Sequence, residues 1–157
     1  MPRKPKAYVL DSWAILSYFH DEPAGERVEA LIADAHDDGI PLYMSVVNAA
    51  EVWYIVARRR SHSDADAGIQ LVRQFGIHFV ESDWELAKTA GYFKSRNKMS
   101  FADCFAAALA KHRKASLVTG DRERPRVCRG TGRSGILLRI SRPSTQLRFP
   151  TTKSIFG

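Results

Sequence analysis

Four short apolar runs, separated by stretches of helical spacing, limit this chain more than any other feature. They are "AYVLD" (7–11), "PLYMSV" (41–46), "IHFVE" (77–81) and "SLVTGD" (116–121). Runs of this length read as buried strands, and strands that alternate with helices favour an α/β fold with a mainly parallel sheet. At 157 residues the chain has room for one domain with a proper core and is too short for two comfortable ones.

The segments between the runs carry helix punctuation. Residues 23–37 place Val28, Leu31, Ile32 and Ala35 at helical spacing behind Pro23. "VNAAEVWYIVARRR" reads as a helix ending on Arg58, Arg59 and Arg60, where cations meet the negative end of the dipole. Ser63, with Asp66 three residues on, is expected to open the next helix, and Gly76 to close it. With the preceding helix it makes an αα-hairpin. Asp83 can cap a helix to about Lys94, and Ser100 opens "FADCFAAALAKHRK".

Composition removes several classes of function. The basic start is interrupted at once by Asp11, so it lacks a secretory core, and no run of 18 apolar residues could span a membrane. A cytoplasmic location is expected. Cys104 and Cys128 fit no zinc spacing, and the five histidines (His20, His36, His62, His78 and His112) are scattered. The net charge of +7 is unevenly distributed: residues 122–157 hold nine Lys+Arg and one Glu, whereas residues 1–121 hold 15 Lys+Arg against 16 Asp+Glu. The basic excess belongs to the tail.

The acids are where the chemistry gathers. A charge at Asp11, closing an apolar run, costs several kcal/mol unless it is paired or bound to a cation. In a parallel α/β sheet, ligands sit at the carboxyl ends of the strands, and the N-termini of crossover helices lie at the same edge. Asp11 ends the first strand and Asp121 the fourth; Glu51 and Asp103 fall in the first turns of helices. Each also has a structural reading, since Ser100-x-x-Asp103 is a capping-box pattern and Gly120-Asp121 a common turn pair. Four carboxylates on one rim repel one another unless a cation neutralises them, and an all-oxygen set suits Mg²⁺ or Mn²⁺. Such a rim points to phosphoryl chemistry, most simply nucleic-acid hydrolysis.

In order and spacing, "YVLDSWAIL", "SVVNAAEVWY", "MSFADCFAAALA" and "LVTGDRE" resemble the four acidic motifs of PIN-domain ribonucleases, most closely the VapC-type toxins of bacterial toxin–antitoxin pairs. The resemblance covers residues 7–123. It implies a three-layer α/β/α sandwich around a sheet of four or five strands, Mg²⁺- or Mn²⁺-dependent endoribonuclease activity and homodimers. It further implies tRNA or ribosomal RNA as substrate and a cognate antitoxin as partner. Carried over residue by residue, Asp11, Asp103 and Asp121 would hold the metal, and Glu51 would ligate it or orient the attacking water. Ser12, Asn48 and Thr119 match supporting polar positions.

The pattern departs from the family after Glu123. The expected division is a PIN-like domain over 1–123 and a basic Arg/Gly-rich segment over 124–157, with one candidate strand at 136–140. Two accounts remain open for the segment. It is a basic arm that contacts RNA, or it is foreign to the fold, as after a shifted reading frame; the loss of patterning at the same point favours the second. The competing function is a catalytically silent RNA- or antitoxin-binding protein. An aspartyl-phosphate phosphatase is a third reading, and Trp13, where a second Asp would be needed, argues against it. Trp13, Trp53, Tyr54 and Trp84 read as core or dimer contacts before base-stacking groups, and Cys104 as a small buried apolar residue.

Overall fold

The structure, a computed structural model, describes residues 4–120. Four strands lie in it: β1 (Tyr8–Leu10), β2 (Leu42–Ser45), β3 (Ile77–Val80) and β4 (Ser116–Val118). Six helices connect them: α1 (Ser12–Phe19), α2 (Pro23–Asp37), α3 (Val46–Arg59), α4 (His62–Gln74), α5 (Trp84–Arg96) and α6 (Phe101–Arg113). The sheet is wholly parallel in the order β3-β2-β1-β4. Tyr8 stands beside Leu42 on one side and Ser116 on the other.

Alternation along the strands explains the three layers. Val9 and Leu117 point to a core with Leu86, Ala90 and Phe93 of α5 and Cys104–Ala110 of α6. Leu10, Leu42, Met44, Ile77 and Val118 point the other way, onto Ala14, Val28, Ile32, Val52 and Val72 of α1–α4. Successive strand residues face opposite sides of the sheet, so strands covered on both faces read as nearly continuous apolar runs, broken here by Ser45, Ser116 and the exposed His78 of the edge strand β3. The expected α/β/α sandwich is therefore present. Cys104 is buried in the α6 core, as its apolar setting in the sequence predicts.

The helix caps match the sequence with two corrections. Asp83 accepts from the Leu86 amide, and Ser100 from that of Asp103, as expected. Helix α4, however, starts at His62 with Ser61 as its cap, its hydroxyl accepting from the Asp64 amide at 3.0 Å. Ser63 lies within the helix. Asp66 accepts from the Trp53 indole at 2.8 Å, which ties α4 to α3. Gly76 does follow the end of α4, in the left-handed conformation (φ 71°) that glycine adopts without steric cost. The second correction is the fourth strand, which ends at Val118 so that residues 119 and 120 lie beyond it, and the apolar run after Asp11, unassigned in the sequence, is helix α1. The candidate strand at 136–140, the segment 124–157 and Asp121 lie outside the described residues.

Candidate active site

The strand order fixes where a ligand is expected. From β1 the chain steps outward through β2 to β3, then returns to place β4 on the opposite side of β1. The order reverses between β1 and β4, and the crevice outside the carboxyl ends at such a point is the usual ligand site of an open α/β sheet. Asp11 closes β1 at that crevice, and its backbone amide donates to the Val118 carbonyl at 3.2 Å. Thr119 and Gly120 follow β4 on the other side.

Asp11 is 1% exposed. Its carboxylate is the N-cap of α1, with Oδ1 accepting from the Ala14 amide at 3.0 Å. This answers part of the cost of its burial, since an N-cap acceptor satisfies an otherwise unpaired helix amide and meets the positive end of the dipole. Asp103 stands in the first turn of α6, half-buried. The Ser100 hydroxyl accepts from its amide at 3.1 Å and donates to its Oδ2 at 2.5 Å. Ser100 thus caps α6 as expected, and its hydroxyl, which the capping-box pattern would pair only with the Asp103 amide, also engages the Asp103 carboxylate. Glu51 lies in the second turn of α3, also half-buried.

A polar junction joins the helices that carry Asp11 and Asp103. Asn48, on the first turn of α3 and fully buried, donates through Nδ2 to the Ser12 hydroxyl and to the Ala102 carbonyl, both at 3.1 Å. Ser12 Oγ in turn donates to the Asn48 carbonyl at 3.2 Å. Ser12 is the neighbour of Asp11 and Ala102 that of Asp103, so one side chain sets the spacing of the two acid-bearing helix starts. Its orientation follows from chemistry. Reversing the amide would face Oδ1 toward the Ala102 oxygen, acceptor against acceptor.

Asn48 Oδ1 is left buried without a hydrogen-bond partner. An orphaned buried acceptor costs about 1–3 kcal/mol, and such groups in native proteins mark a functional role or a water or ion that completes them. Among the described residues, no three His, Cys, Asp or Glu side chains are grouped closely enough to hold a metal ion. Asp11, Glu51 and Asp103 alone therefore do not complete a cation site, and Asp121 lies outside the described residues. As a donor set, carboxylates, a hydroxyl and an amide oxygen suit a hard divalent cation.

One contact here is not visible in the sequence. A Cβ at Gly120 would fall 2.2 Å from Cε2 of the Trp13 indole, so residue 120 is glycine because a ring occupies its side-chain space. Trp13 is half-buried and packs against the α1–α4 core, while Trp53 is held to Asp66. Tyr54 and Trp84 are exposed instead, which corrects their reading as core residues within this chain.

The profile of the PIN domain matches residues 8–130. Among solved structures, Mycobacterium tuberculosis VapC20, a sarcin–ricin loop cleaving toxin, superposes with a TM-score of 0.61 at 16% identity, over 74% of this chain and 92% of that one. Rickettsia felis VapBC2, bound to a promoter DNA fragment, gives 0.62 at 13% identity, covering 73% and 88%. VapBC-1 from nontypeable Haemophilus influenzae gives 0.56 at 18% identity, covering 73% and 87%. At these identities the likeness is one of fold. No curated protein sequence matches the chain. The profile spans most of the chain and includes the strands and helices that build the crevice; the protein belongs to the PIN-domain family.

Proposed function

We propose that the protein is a divalent-metal-dependent endoribonuclease of the toxin type, controlled by an antitoxin. The observation that carries this reading is the junction at the switch point. A buried Asn48 bridges the helix starts bearing Asp11 and Asp103 and keeps an unpartnered oxygen at the same place. Asp11, Asp103 and Asp121 would hold Mg²⁺ or Mn²⁺, and Glu51 would ligate it or orient water. A bound cation supplies charge neutralisation among the acids and stabilises negative charge on the phosphodiester oxygens.

The residues of the chain have separate duties in this account. Asp11 and Asp103 keep their carboxylates on the rim through their own helix caps. Asn48 and Ser12 would keep the two acid-bearing helix starts beside one another while the phosphodiester binds. Glu51, one turn further along α3, would ligate the cation or orient the attacking water. The sarcin–ricin loop cleavage of VapC20 motivates a ribosomal RNA substrate, and the alternative of tRNA rests on family resemblance. The VapBC pairs of Rickettsia felis and Haemophilus influenzae motivate an antitoxin partner. The homodimer rests on family resemblance.

Calorimetric titration of the full chain with Mn²⁺ tests the site apart from its substrate. Asparagine caps a helix as well as aspartate does, so Asp11→Asn removes charge with the cap intact. Wild-type binding that Asp11→Asn weakens tenfold or more supports the assignment; equal affinity of the two proteins refutes it.

The second reading, a silent RNA- or antitoxin-binding protein, is favoured by one observation: the Asp103 carboxylate is engaged by Ser100. Salt-sensitive RNA binding without cleavage in Mg²⁺ and Mn²⁺ is its signature.

A further inference from the structure

The near-zero charge of the body conceals a division between its layers. The α5–α6 stretch, residues 84–114, holds seven Lys+Arg against Glu85 and Asp103 alone. Residues 4–80, which supply α1–α4, hold seven Lys+Arg against 11 acids, and Glu81 and Asp83 precede α5. The basic excess of the tail is therefore matched by a second one, which the fold confines to one outer layer.

Helix α5 orders this charge. Its inner face is Leu86, Ala90 and Phe93, all buried. Its outer face carries Trp84, Lys88, Tyr92 and Arg96, all exposed and each four residues from the last. Aromatic and cation alternate along it, with steps of about 6 Å along the helix axis. Trp84 is 72% exposed and Tyr92 52%, so both rings are open to a ligand. The Arg96 guanidinium already lies 4.8 Å from the centroid of the Tyr92 ring. Thr89 and His112 are joined at 2.9 Å, which sets the basic end of α6 (Lys111, Arg113 and Lys114) beside the middle of the stripe.

We propose that the outer face of α5 is a docking track for single-stranded RNA, with Trp84 and Tyr92 stacking bases and Lys88 and Arg96 contacting phosphates. The track rests on the ribonuclease reading and extends it to substrate beyond the cleaved bond. Single-stranded nucleic acid is the occupant that fits. It is a polyanion whose bases have faces that any aromatic ring can stack on, and such sites combine basic side chains with exposed aromatics.

The test is fluorescence anisotropy of a labelled dodecauridine with the full chain, in EDTA, from 50 to 200 mM salt. Trp84→Ala/Tyr92→Ala is expected to weaken binding at least tenfold. Lys88→Glu/Arg96→Glu should also flatten the salt dependence by about 1.4 in log–log slope, at about 0.7 for each phosphate no longer neutralised. Arg58→Glu/Arg73→Glu, on the opposite layer, is the control and should change affinity less than twofold. The four α5 positions are exposed, and circular dichroism establishes that each variant is folded.

If the wild type binds and cleaves RNA while the α5 variants bind equally well, the track is refuted and the ribonuclease reading stands. If the α5 variants change the sedimenting mass and leave RNA affinity unaltered, the stripe is a protein-binding surface and the proposal is wrong. If the wild type neither binds nor cleaves RNA, both readings fall together.

Discussion

Removing the Asn48 side chain should destabilise the fold while leaving both acids in place. Asn48→Ala deletes two hydrogen bonds, at about 0.5–1.5 kcal/mol each. It also takes the donor from the buried Ser12 hydroxyl and from the Ala102 carbonyl, and a group left unsatisfied costs about 1–3 kcal/mol. Against this, the orphaned Oδ1 disappears, which returns a term of the same size. The balance is a loss of about 2 kcal/mol, or roughly 4–10 °C in Tm for a domain of this length. Urea melts of the wild type, Asn48→Ala, Ser12→Ala and the double variant measure it. Because Ser12 and Asn48 share a bond, the cycle should show a coupling above about 0.5 kcal/mol. A loss below about 0.5 kcal/mol, or additive single changes, would mean that the junction does not hold the two helices together.

Three further outcomes follow from named contacts. Gly120→Ala should cost about 1–3 kcal/mol by driving a methyl group into the Trp13 ring, and Trp13→Phe should recover part of it; equal melts of wild type and Gly120→Ala would contradict the contact. Ser61→Ala should lose about 1 kcal/mol as a helix cap while Ser63→Ala loses almost nothing, and the reverse order would restore the register expected from sequence. His20, by burial first and then by the adjacent Arg59, titrates below the ordinary histidine value. Its folded form resists protonation, so the native state loses stability as pH falls through the unfolded value toward the lower folded one. An imidazole NMR midpoint at or above the ordinary value would refute that environment.

Much of the fold is legible because its strands are buried on both faces and so announce themselves as short apolar runs. Helices α2, α5 and α6 are legible through Pro23 at the first helical position and the caps Asp83 and Ser100, all of them local signals. Helix α1 is hidden because Ser12–Phe19 continues the apolar texture of β1 with no glycine or proline between them; only Asp11 marks the border, and it serves as strand end and cap together. At α4 the sequence offers two serines, each followed three residues later by an acid, so the local pattern does not choose between them; in the fold Ser61 caps the helix and Asp66 bonds Trp53 of α3. That is a tertiary contact no local pattern contains. The same holds for the site. Asp11 and Asp103 stand out as acids in apolar or helix-start settings, whereas Asn48 reaches partners 36 and 54 residues away and looks like one more polar neighbour. Tyr92 gives no signal in the sequence because its meaning depends on which face of α5 the sheet covers.

Incubation of the full chain with total bacterial RNA, in Mg²⁺ or Mn²⁺ and again in excess EDTA, beside Asp103→Asn, tests the central claim most directly. Asp103 is the acid whose capping bond to Ser100 gives it the strongest purely structural explanation, so its variant carries the most information. The account predicts a few discrete fragments, lost with EDTA and with a folded Asp103→Asn. Intact RNA from folded wild-type protein, or undiminished cleavage by the variant or in EDTA, would contradict it.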